Sequence, residues 1–158
     1  LDIARLMASV EKPALYVLDN APNCSADRIN ERSEAFFRVI RDAHPDVPVV
    51  IVEHPLYPTM RLNNYAREDI TARNNAQKAF YEKLRKAGEK RIYYVSADKL
   101  LDEMKEGTVD GNHFTDLGVT YYVNAILPTI KKALKASPYP MFRSTSVGFS
   151  GSFSYSPQ

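Results

Sequence analysis

Asp110 and His113 are the residues of this chain whose types and spacing most clearly suit chemistry, in the stretch Asp110-Gly111-Asn112-His113-Phe114-Thr115-Asp116-Leu117-Gly118. On a turn, a carboxylate three residues before an imidazole can aim both side chains at one point. A carboxylate so placed fixes the tautomer of the imidazole and stabilises its protonated form, while the other ring nitrogen takes a proton from a nucleophile. Gly107 and Gly111 let the backbone bend there, and Thr115 is suited to cap the helix that follows. A plainer reading of the same pair is a helix-capping aspartate beside a surface histidine.

Other candidates are fewer. Asn23 ends Asp19-Asn20-Ala21-Pro22-Asn23, directly after an apolar run, where it reads either as a turn former or as a polar group at the mouth of a strand. His54, in His54-Pro55-Leu56-Tyr57-Pro58, either lines the same pocket or is simply fixed by Pro55. His44 precedes Pro45 at a helix end, where a cation meets the helix dipole favourably, so its reading is structural. Cys24 has no neighbour in sequence that would lower its pKa and reads as a small packed residue. A set of His54, Asp110, His113 and Asp116 is the one combination with the donor types of a catalytic zinc site, which defines a metal-assisted hydrolase as an alternative.

The chain has 158 residues, 44% of them hydrophobic and 25% charged, which suits one domain with a substantial core. A net charge of +2 with both signs scattered leaves no footprint for nucleic acid and no polybasic membrane patch. The single cysteine excludes an internal disulfide framework. No apolar run approaches a membrane span, and the first residues lack the pattern of a signal peptide, as in a mature or trimmed form.

Alternation of strands and helices must position the candidates. Ile3, Leu6, Met7 and Val10 make an apolar stripe on a first helix over residues 1–10, which has no cap signal before Leu1 and so reads as continuing upstream. Residues 14–18 read as a strand covered on both faces. Ser25 caps a helix to about Ala43 with Ile29, Phe36, Phe37 and Ile40 inward. Residues 47–52 form the second strand, and a third helix runs from about Arg67 to Ala87, stopped by Gly88. Residues 92–95 form a third strand, and a short helix is expected at residues 99–104. A last helix turns Leu117, Tyr121, Ala125, Ile126, Ile130 and Leu134 inward and kinks at Pro128. This order predicts an α/β domain with a parallel sheet over residues 1–136 and a Ser-, Pro- and aromatic-rich tail over 137–158, whose serines Ser144, Ser146 and Ser150 read as solvated linker. Three strands make a thin sheet.

The segments around Asn23 and His113 resemble two blocks of the SGNH hydrolases, the GDSL-type esterases and acylhydrolases. Asp110-Gly111-Asn112-His113 resembles the family's Asp-x-x-His block, and Tyr16-Val17-Leu18-Asp19-Asn20-Ala21-Pro22-Asn23 its asparagine block. The segments 41–48 and 52–55 resemble a branch common in bacterial polysaccharide-degrading systems. The resemblance spans about Leu1 to Leu134. It implies a three-layer α/β/α fold with a flavodoxin-like sheet and a Ser-His-Asp mechanism in which His113 is the base, Asp110 orients it and Asn23 donates to the oxyanion. The implied substrate is a small ester, such as an acetylated carbohydrate, with no cofactor, and the implied location is extracytoplasmic in a bacterium. The family's nucleophile block and first strand have no counterpart here. Val147-Gly148-Phe149-Ser150-Gly151-Ser152 resembles its second block displaced into the tail. A permuted, rearranged or truncated chain would show both features. A non-catalytic α/β module binding a glycan or partner through Tyr57, Tyr65, Tyr139 and Tyr155 is the other alternative.

Overall fold

The computed structural model describes residues 1–101 and 106–139. The displaced block at 147–152 and the second half of the short helix expected at 99–104 fall outside them, and Lys99 ends a 3-10 turn over Ala97–Lys99. The order is α1 (Asp2–Ala8), β1 (Tyr16–Leu18), α2 (Ala26–Ala43), β2 (Val49–Val52), α3 (Asn64–Lys86), β3 (Ile92–Val95) and α4 (Asp116–Leu134), with short 3-10 turns after each strand. The three strands are parallel in the order β1-β2-β3, pairing Tyr16 with Val49 and Val49 with Ile92.

Strand alternation sorts the core into two layers. Tyr16, Leu18, Val49, Ile51 and Ile92 meet Phe37 and Ile40 of α2 and Phe80 and Leu84 of α3. Val50, Val52 and Val95 point the other way, to Ala133, Tyr122, Ala125 and Ile126 of α4. The result is the three-layer α/β/α arrangement expected of parallel strands buried on both faces.

Caps fix where the helices start. Ser25 accepts from the Arg28 N–H and opens α2; Thr115 accepts from the Gly118 N–H and opens α4. Asn63 accepts from the Ala66 N–H, which starts α3 three residues before the expected Arg67, because the polar run before it is cap and first turn rather than loop. Gly88, at φ +92°, ends that helix in the left-handed conformation. Pro128 lies inside a continuous α4.

Two expected faces are corrected. On α1 only Ala4 is buried, while Ile3 and Leu6 are 68% and 70% exposed, because that helix packs outside α2 at the edge of the sheet. On α4 Tyr121, Ala125 and Ile126 pack inward as expected, with Tyr122 and Ala133 beside them, and Leu117 departs, being 46% exposed. The cause is Gly118, whose Cα sits so close to Gly107 that an added Cβ would lie 1.9 Å from the Gly107 carbonyl oxygen. That backbone contact sets the rotation of the helix.

Gly118→Ala separates propensity from packing. Alanine favours a helix by about 1 kcal/mol over glycine, whereas forcing a methyl group into a packed contact costs about 1–3 kcal/mol, and here the obstacle is rigid backbone. The variant is expected to be less stable than the parent by denaturant unfolding; equal or greater stability would refute the contact.

Candidate active site

The Asp110–His113 turn is assembled by Asp110 itself. Its Oδ1 accepts the backbone N–H groups of Asn112 (2.9 Å) and His113 (2.8 Å), and its Oδ2 lies 2.7 Å from Nδ1 of His113. One carboxylate thus shapes the backbone with one oxygen and orients the ring with the other. Gly111 takes φ +86°, which the tight turn requires. The Val109 N–H donates to the His113 carbonyl and the Thr115 N–H to the Gly107 carbonyl, closing the loop at its base, and the Thr59 hydroxyl donates to the Gly111 carbonyl at 3.3 Å. Both Asp110 and His113 are exposed to solvent.

Electrostatics follows from those bonds. The backbone N–H of His113, its ring and the N–H of Asn112 lower the pKa of Asp110 from its ordinary 3.8 to about 2. The carboxylate is therefore charged at any working pH. With Nδ1–H donated to Asp110, the lone pair of Nε2 is left for a substrate-side proton, and among the described residues no serine hydroxyl bonds to this ring.

Asn23 stands elsewhere on the same end of the sheet. It closes the 3-10 turn Ala21–Asn23 that follows β1, with its N–H donated to the Asn20 carbonyl at 3.0 Å and its side chain exposed. Beneath the turn, Arg73 of α3 donates to the carbonyls of Ala21 (3.3 Å) and Pro22 (2.9 Å) and pairs with Asp69 at 2.7 Å. A row of rings links the loops: His54 against Tyr57 (5.0 Å), Tyr57 against Phe114 (5.9 Å) and Phe114 against Tyr122 (5.4 Å). The Tyr122 hydroxyl donates to Asp19 at the end of β1. Burial and this bond to Asp19 push the phenol well above its usual pKa, so it stays a donor.

The remaining histidines differ in kind. His54 is buried; its backbone N–H donates to Oδ1 of Asn74 (2.7 Å), whose Nδ2 returns a bond to the His54 carbonyl (2.9 Å), and its Nδ1 lies 2.7 Å from the Pro55 carbonyl. Burial lowers its pKa, which keeps the ring neutral. His44 caps α2 at the opposite end of the sheet, and its Nε2 lies 2.9 Å from the Ala8 carbonyl, tying α1 down. Cys24 packs against Ala21, Ile29 and Ala76. Among the described residues no three His, Cys, Asp or Glu side chains converge as metal donors, so His54, Asp110, His113 and Asp116 do not form the set that a metal-assisted reaction requires. No described helix is long and apolar enough to cross a membrane.

Sequence reasoning missed Thr59, Arg73, Asn74 and Tyr122. Only Arg73 left a trace, in its spacing of four from Asp69 on a helix.

The comparisons with known proteins agree with this layout. Residues 1–131 match the GDSL-like lipase/acylhydrolase family. A Bacteroides ovatus protein named as a GDSL-like lipase is 34% identical, with a TM-score of 0.79 over 85% of this chain and 40% of its own. The chain thus spans well under half the length of that relative. A salicylyl-acyltransferase from a tetracycline biosynthetic pathway (17% identity, TM-score 0.67, 82% of this chain and 40% of that one) shares the fold. So does a carbohydrate esterase of family 3 from Talaromyces cellulolyticus (20% identity, TM-score 0.61, 85% and 67%). No curated protein matches in sequence. With its parallel three-strand sheet and the family match over most of its length, the chain belongs to the GDSL-like lipase/acylhydrolase family.

Proposed function

We propose that this chain carries the acid–base and oxyanion groups of a serine ester hydrolase acting on small O-acyl groups, most specifically acetyl esters of carbohydrate. The observation that carries the reading is the 2.7 Å contact between Nδ1 of His113 and Oδ2 of Asp110, on a turn that Asp110 also builds. The substrate class follows from the fold relatives, among them a carbohydrate esterase and an acetyl esterase. An extracytoplasmic setting is compatible with the carbohydrate esterase relatives and a bacterial one with the 34%-identical Bacteroides ovatus protein, and we place the end of the catalytic part near residue 136, with residues 137–158 as a tail.

The steps balance as follows. A serine Oγ attacks the ester carbonyl carbon as its proton passes to Nε2 of His113, while Asp110 holds Nδ1–H and stabilises the imidazolium. The tetrahedral oxyanion takes a hydrogen bond from the Asn23 amide. Collapse breaks the bond to the alcohol, which leaves with the proton from Nε2. Water then repeats the sequence on the acyl-serine and releases the acid. A serine supplied to Nε2 completes the site, and a fluorophosphonate label followed by peptide mass spectrometry identifies it.

A second reading is a binding module without turnover, favoured by the observation that no described serine bonds to His113. Retention of an acetylated xylo-oligosaccharide with no acetate released would establish that alternative.

Turnover of p-nitrophenyl acetate is expected to vanish in His113→Ala and to fall by about 10²–10³-fold in Asn23→Ala, the usual effect of losing one oxyanion donor. Full activity in the His113 variant would overturn the proposal.

Asp110 makes a separate, pH-linked prediction. Its folded pKa lies below the unfolded one, so its contribution to stability is complete above about pH 4 and is lost as pH falls toward about 2. By carboxyl-carbon NMR it should titrate near 2. In His113→Ala the midpoint should rise but stay below 3.8, because two backbone N–H groups still donate to the carboxylate. A midpoint unaffected by the substitution would show that the ring does not brace it.

A further inference from the structure

The turn that presents Asn23 is held from below by one side chain. Arg73 lies one helical turn after Asp69 on α3, and its guanidinium reaches across to β1's outgoing loop, giving Nη2 to Asp69 (2.7 Å) and Nη1 to the carbonyls of Ala21 (3.3 Å) and Pro22 (2.9 Å). The only other described side-chain bond to this loop from α3 is a long one, from Gln77 to the Asn20 side chain at 3.5 Å.

The bond to Pro22 matters most. Its carbonyl belongs to the same peptide unit as the Asn23 N–H, which donates to the Asn20 carbonyl at 3.0 Å. A cation on the carbonyl polarises that peptide and strengthens the bond its N–H makes, so guanidinium, peptide and Asn20 carbonyl form one cooperative chain that runs through the Asn23 N–H. The geometry points to Arg73, locked by Asp69, as a positioning residue that sets Asn23 for oxyanion donation. The inference rests on the role assigned to Asn23 above.

Only a planar fork serves this purpose. One guanidinium spans a carboxylate on α3 and two carbonyls on the loop, whereas an ammonium group is a single point charge that cannot hold all three in this geometry. Asp69 fixes which nitrogen faces the loop. Pro22 restricts the loop backbone further, so little besides the clamp needs to be ordered.

Arg73→Met, Arg73→Lys and Asp69→Asn in the full chain test this with three readouts. In Arg73→Met the Asn23 N–H is expected to exchange with deuterium at least about tenfold faster, as for the loss of a charge-assisted bond, while core amides such as Ile51 exchange as before. On p-nitrophenyl acetate kcat should fall about 10–100-fold, the effect of a small misplacement, with KM within about twofold. Arg73→Lys and Asp69→Asn should fall between the parent and Arg73→Met in both. Unchanged Asn23 exchange in a folded Arg73→Met variant overturns the clamp whatever the activity. Faster exchange with kcat intact overturns its catalytic consequence. Absence of turnover in the unaltered chain would show that it lacks its serine, and the exchange result then decides for or against the clamp alone.

Discussion

The complete burial of β2 is the constraint on which the rest of this structure depends. Val49, Val50, Ile51 and Val52 are all removed from water, so the strand needs a partner on each edge and a covering layer on each face. Parallel partners require crossover helices, and the helices that cross are the layers that cover. Every strand then points the same way, and every loop leaving a strand emerges at one end. Asn23 after β1 and His54 after β2 leave the sheet at the same end for that reason, and the ring row His54–Tyr57–Phe114 ties the second of these loops to the turn at His113.

Within that shared end, hydrogen bonds do what packing cannot. Apolar residues such as Tyr57, Met60 and Leu101 anchor the loops, and polar side chains reaching backbone set the shapes of the turns. Asp110 folds its own turn and aims the imidazole with the same carboxylate; Arg73 gathers the carbonyls below Asn23; Asn74 grips both backbone groups of His54. Bonds in which one partner is charged are stronger than neutral ones. Two of these three anchors use such a bond, at the two turns that bear exposed polar groups. The neutral anchor serves the buried, uncharged histidine.

The fold was legible in the sequence wherever burial is two-sided or a cap is local. Val-Val-Ile-Val can only be a covered strand, and Ser25 and Thr115 announce the helices that they cap. The pairing of Asp110 with His113 was legible for the same reason, since all its partners lie within a few residues. Arg73 and Tyr122 were not, because each acts on a carbonyl or carboxylate about fifty or a hundred residues away, and nothing in local spacing marks such a bond. On α4 the expected inward positions Tyr121, Ala125 and Ile126 hold, and Leu117 departs for a subtler reason. Hydrophobic periodicity ranks Leu117 as a core residue, yet the rotation is decided by Gly118, the smallest residue in the turn, through backbone contact with Gly107.

On α4, Tyr121 packs toward the Leu101 cluster and Tyr122 reaches Asp19, while Val119, Val123 and Leu127 stay exposed. The Tyr16 N–H donates to Pro48, which turns the next N–H, that of Val17, away from β2 toward the outer edge, where the Val17 side chain is 38% exposed. On the opposite face, Leu1, Ile3 and Met7 of α1 and Phe36 of α2 line a cavity of about 580 Å³ that runs past Leu18 to Asp19 and Asn20. The edge is blunted only by its shortness, since β1 offers a single outward-facing residue between Tyr16 and Leu18. The loop after β1 takes its geometry from side chains that reach it, Arg73 and Gln77 of α3 on its carbonyls and Asn20, and Tyr122 of α4 on Asp19.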